Sequence, residues 1–154
     1  MIRSTSRLRL CGCLLVLNLA FIWGNSLLPA EASQAFSDWV KGLLLCAAPT
    51  DTPVFQGSGI LRKIAHFTEF MTLGLTLGWG LGMLQKKSFW GIPLGCFAAV
   101  IDETIQIFIP GRGPRLADVL LDTAGAAAGI FLLTLGHALF QRTKQHYLTG
   151  GNTK

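Results

Sequence analysis

Polar and ionisable side chains gather in two short windows of an otherwise apolar sequence. The first holds Arg62, Lys63, His66 and Glu69. The second runs from Asp102, Glu103 and Gln106 through Arg112 and Arg115 to Asp118 and Asp122. His66 and Glu69 are three apart, so on a helix they share a face. A carboxylate beside an imidazole can orient it for acid/base work, with Asp102 or Glu103 as a second catalytic carboxylate. Gln106 follows Asp102 by four and Glu103 by three, and Asp122 follows Asp118 by four, so each group projects to one side. Arg62, Lys63, Arg112 and Arg115 are cations suited to a phosphate or carboxylate ligand. The same residues also suit a purely structural network of ion pairs that fixes helix register.

Some chemistries are disfavoured. No Ser or Cys nucleophile motif stands among these residues. A His and a carboxylate three apart, with further carboxylates, resembles part of a di-metal helix bundle, but such bundles draw a second His from another helix. His137 and His146 lie toward the far end of the last apolar run and beyond it, so neither a metal nor any other cofactor is expected. Cys11, Cys13, Cys46 and Cys96 have no zinc-site spacing and read as small packing residues.

The elements that must position these groups are hydrophobic. Charged residues make up 14% of the 154 and apolar ones 51%, with a mean hydropathy of +0.49. A soluble domain averages about 25% charged, so lipid is expected to cover part of the surface. Residues 8–28, 64–84, 88–109 and 117–140 form apolar stretches long enough to cross roughly 30 Å of hydrocarbon as helices. The expected fold is therefore an all-α membrane protein with four transmembrane helices, making one membrane domain over residues 1–148 and a cytoplasmic tail over 149–154. A cleavable signal peptide ending near Ala30-Glu31-Ala32 is the rival for the first segment, but its apolar run exceeds the usual length of 7–15.

Between the first two spans lies an outer segment, residues 29–61. Phe36, Trp39, Val40, Leu43, Leu44 and Ala47 recur there with helical period, predicting a short helix lying in the membrane interface or packed over the bundle. Pro49, Pro53, Gly57 and Gly59 predict irregular chain after it. Gly74, Gly78 and Gly82 make a stripe on the second span, and Gly125 with Gly129 repeat the spacing on the fourth. Such stripes let backbones approach closely in lipid, so contact between these two spans is expected, with homo-oligomerisation as the competing use.

Orientation follows from the basic residues. With the N-terminus inside, cytoplasmic segments carry Arg3, Arg7, Arg9, Lys86, Lys87, Arg142, Lys144 and Lys154 and no acidic residue. The outer side then holds every Asp and Glu. A multi-pass protein of the inner membrane with both termini in the cytoplasm is expected, and its +5 charge reflects these flanks rather than nucleic-acid binding. Asp102 falls on the order of 10 Å below the end of the third span, where a charge costs up to roughly 2.5–3.5 kcal/mol. It must face the bundle, be paired or be protonated.

Three stretches resemble the VanZ-like family of bacterial integral membrane proteins. They are Ile22-Trp23-Gly24-Asn25-Ser26-Leu27-Leu28-Pro29, Arg62-Lys63-Ile64-Ala65-His66-Phe67-Thr68-Glu69-Phe70, and the run from Asp102 to Gly129 with its Asp102-Glu103-Thr104-Ile105-Gln106, Pro110-Gly111-Arg112 and Asp118-to-Gly125 segments. Phe70 stands where similar proteins often carry Tyr, and Asp122 where they often carry Asn. The resemblance implies a multi-helix inner-membrane protein of the cell envelope. The family's founding member is linked to low-level resistance to teicoplanin, a glycopeptide.

The expected function is binding of an anionic or amphiphilic envelope ligand, a lipid-linked cell-wall precursor or a lipoglycopeptide, by the outer polar cluster. The alternatives are a membrane enzyme acting on such a substrate with His66, Glu69 and Asp102, and an assembly protein whose polar network only holds the bundle. A transporter is weaker, because four short helices supply little pathway.

Overall fold

The computed structural model describes residues 2–47 and 58–150. Among these, five α-helices account for nearly all of the chain and no strand is present: α1 (Ile2–Ser26), α2 (Ala30–Ala47), α3 (Ser58–Met83), α4 (Gly91–Gln106) and α5 (Leu116–Gly150). A 3-10 turn, Ser88–Trp90, leads into α4. The all-helical expectation holds. Residues 5–26 of α1 and 116–145 of α5 are long and apolar enough to cross a membrane.

Several boundaries differ from those read in the sequence. Helix α3 starts at Ser58, so Gly59 is helical rather than part of an irregular lead-in. The irregular chain expected at Pro49, Pro53 and Gly57 lies outside the described residues. Helix α4 ends at Gln106, before the expected 109, because Pro110 has no N–H to continue the ladder and disfavours helical backbone in the residue before it. Asp102 is therefore about 6 Å, one turn, from the helix end. Helix α5 runs ten residues past the expected 140, so the chain is still helical where the tail was expected to begin. The helix predicted within residues 29–61 exists as α2, with Trp39 64% exposed on it.

The glycine stripes are used between α3 and α5. A Cβ on Gly74 would strike the Ala126 carbonyl oxygen, one on Gly125 the Phe67 carbonyl and one on Gly129 the Met71 carbonyl. Only a bare backbone allows that approach, which brings the two helices into direct main-chain contact. Gly82, by contrast, meets nothing within 4 Å. Ile22, Phe70, Leu73, Ala98 and Ala99 form the core joining α1, α3 and α4. Asn18 of α1 adds a polar tie, donating to Thr76 Oγ1 at 3.2 Å and accepting from Thr72 Oγ1 at 2.9 Å.

The distribution of polarity is inverted relative to a water-soluble protein. Val16, Phe97 and Phe131 are 64–66% exposed, whereas Asp102 and Asp122 are 0% and 1% exposed. Apolar side chains facing outward over buried carboxylates are what lipid as solvent selects.

Candidate functional site

The end of α1, the start of α3, the end of α4 and the start of α5 meet at one end of the bundle. Their order follows from the chain reversing direction at each connection. The α4–α5 connection is a tight turn whose chemistry is visible in sequence. Pro110 and Gly111 occupy its centre, Gly111 has φ of 76°, and the Arg112 N–H donates to the Ile109 carbonyl at 3.1 Å. That is a type II turn, which needs glycine at the positive-φ position. The Ala30 N–H reaches the Pro110 carbonyl at 3.5 Å, tying this turn to the start of α2.

Asp102 is at the centre. Its Oδ2 accepts from Ser26 Oγ at 2.8 Å and from Gln106 Nε2 at 3.0 Å. Gln106 Nε2 also donates to Ser26 Oγ at 3.3 Å, closing a buried triangle between α1 and α4. His66 Nδ1 lies 3.9 Å from the same Asp102 oxygen. Asp122 approaches from α5 and is buried. Asp102 Oδ1, Asp122 Oδ1 and His66 Nδ1 are each buried without a hydrogen-bond partner.

Around this centre the other residues occupy distinct roles. Glu103 Oε2 accepts the Arg115 backbone N–H at 2.7 Å, placing a carboxylate at the positive end of the α5 dipole. Asp118 sits in the first turn of α5 and pairs with Arg62 at 3.9 Å. Glu69 accepts from Asn25 Nδ2 at 2.8 Å. The orientation of His66 by Glu69, expected from their spacing, gives way to a different pairing: Glu69 is held by α1 and His66 stands against Asp102 of α4.

Arg112 is half-buried. Its Nη1 reaches the Ser26 carbonyl at 3.5 Å and its Nε has no hydrogen-bond partner. Burial, and then the nearby Arg62, push its pKa down from the usual guanidinium value. Lys63 and the Arg115 side chain are exposed. Arg62, Lys63, His66, Glu103, Gln106, Asp118, Leu121 and Asp122 line a cavity of about 10 Å³, room for one water-sized occupant.

The expected site residues thus converge, with Lys63 and Arg115 at the exposed margin. Ser26 and Asn25 were missed, because the first span was read as an apolar membrane crossing. The signal was present: Asn25 and Ser26 are adjacent polar residues ending an apolar run, within a stretch that carries the family resemblance.

Residues 10–139 match the sequence pattern described as VanZ/LLP1. The chain belongs to the VanZ/LLP1 family. The match covers most of α1 and the whole polar cluster, and family membership agrees with the membrane character of the two long apolar helices. The same comparisons find no matching curated protein and no matching solved structure.

Proposed function

We propose that this VanZ/LLP1 member crosses the bacterial inner membrane four times, with both termini in the cytoplasm, and binds the anionic headgroup of an envelope ligand at its outer face. Helices α1, α3, α4 and α5 are the spans, and α2 lies along the interface. The ligand class is a lipid-linked cell-wall precursor or a lipoglycopeptide, and its capture gives low-level protection against teicoplanin.

The reading rests on Arg112. A half-buried guanidinium with an unpartnered Nε and only a long bond to a carbonyl is a cation with donor capacity to spare, and a bidentate phosphate or carboxylate satisfies such a group best. Exposed Lys63 and Arg115 add positive charge beside it. Apolar surface for the rest of an amphiphile is close by: Leu27, Ile101, Thr104, Ile105, Phe108 and Ile109 line a groove of about 300 Å³ on the same end of α4.

Catalysis at His66 has less support. The cavity it lines holds about one water, leaving no room for a substrate group to reach the ring. Ser26 Oγ donates to Asp102 and is not held by a base, so it is not arranged as a nucleophile.

The proposal is tested in cells carrying wild-type protein or Arg112→Ala at equal membrane abundance. Wild type is expected to lower teicoplanin susceptibility relative to empty cells, and Arg112→Ala to restore it. Equal susceptibility in all three strains would remove the glycopeptide part of the proposal.

A further inference from the structure

The buried acids beneath the basic margin are incompletely compensated. Asp102 and Asp122 are fully buried from two different helices, and each keeps one oxygen with no hydrogen-bond partner. Neither free oxygen accepts a hydrogen bond from a nearby cation: Arg62 pairs with Asp118, and Arg112, with its Nε unpartnered, makes only a long bond to the Ser26 carbonyl. Two ionised carboxylates, each with an unsatisfied oxygen in an apolar interior, are strongly disfavoured.

His66 completes a recognisable donor set. One ligand atom each from His66, Asp102 and Asp122 can be chosen so that all lie within 4.8 Å of one another. Tetrahedral zinc with bonds near 2.0–2.1 Å needs donor separations of about 3.3 Å, so the side chains must close by at most about 1.5 Å. A cavity lined by His66 and Asp122, though not by Asp102, adjoins these donors and has room for one water-sized occupant. Ser26 and Gln106 already fix the other oxygen of Asp102, which is the outer support that metal-ligating carboxylates require.

We infer that His66, Asp102 and Asp122 bind one divalent transition-metal cation of the zinc class, with a fourth position left for a single water. One nitrogen and two carboxylate oxygens are donors this class accepts. Two negative charges with a neutral imidazole are balanced by a doubly charged ion, which removes the desolvation problem that the isolated acids pose. The sequence argues against a metal because His66 shares its helix with Glu69 and His137 and His146 lie far along the chain, whereas the donors converge from α3, α4 and α5.

The inference does not depend on which headgroup binds above. Full-length protein in detergent micelles is stripped with a chelator, equilibrated with Zn²⁺, desalted and analysed for metal. Wild type is expected to retain about one zinc per chain and to melt at a higher temperature when loaded. Asp122→Asn and His66→Gln are expected to retain less than about a tenth as much, and their melting temperatures should not respond to Zn²⁺. Wild type without retained zinc or a zinc-dependent melting shift overturns the inference, whether or not the variants fold. So does full zinc retention by a folded Asp122→Asn protein.

Discussion

Ser26 of α1 and Asp102 of α4, distant in sequence, share a 2.8 Å hydrogen bond with no exposed surface on either residue. This bond joins the end of the first helix to the carboxylate at the centre of the polar cluster. It makes α1 part of the site rather than a membrane anchor beside it.

Ser26→Ala removes one donor from Asp102 and one acceptor from Gln106. A buried polar atom left unsatisfied costs about 1–3 kcal/mol. The variant is expected to melt at a lower temperature in detergent by a corresponding amount. A melting curve superimposable on that of wild type would show that water replaces the hydroxyl without loss.

The α3–α5 contact predicts a contrast between two glycines of one stripe. Gly74→Ala drives a methyl into the Ala126 backbone, and the helices must separate. Overpacking of this kind costs about 1–3 kcal/mol. Gly82→Ala meets open space and is expected to leave stability within about 0.5 kcal/mol of wild type. Equal destabilisation by the two would transfer the stripe's role to contacts between copies of the chain.

Asn18 sits between Thr72 and Thr76 well away from the cluster. Polar ties of this kind in membrane proteins average about 0.6 kcal/mol. Asn18→Leu is expected to change thermal stability by no more than about 1–2 kcal/mol while leaving ligand and metal binding intact. Loss of binding in that variant would mean that α1 position controls the site from a distance.

Lys63 and Arg115 lie at the exposed margin. Replacing either with Ala is expected to leave melting within about 0.5 kcal/mol and to weaken headgroup binding more at low than at high salt, as screening dictates. A salt-independent effect would assign them direct, desolvated contacts.

Much of this architecture was legible in the sequence because the membrane enforces simple rules. Apolar length exposed the four helical runs, and fourfold glycine spacing exposed the α3–α5 contact. The convergence of Arg62, His66, Asp102, Glu103, Gln106, Asp118 and Asp122 followed from helix direction and short turns. What sequence could not give was pairing across helices. Spacing favours partners three or four apart on one helix, so Glu69 was assigned to His66, while packing gave Glu69 to Asn25 and His66 to Asp102. Helix ends were misplaced for a local reason: apolar residues 107–109 read as membrane-spanning but belong to the turn set by Pro110 and Gly111.

The most direct test of headgroup capture is binding of a polyprenyl phosphate by the purified full-length protein in nanodiscs, wild type against Arg112→Ala. Charge-assisted hydrogen bonds are worth about 1.5–3 kcal/mol. Saturable binding by wild type, weakened about tenfold or more in Arg112→Ala at an unchanged melting temperature, is the predicted result. Equal affinity in both proteins, or no saturable binding by wild type, would contradict the account.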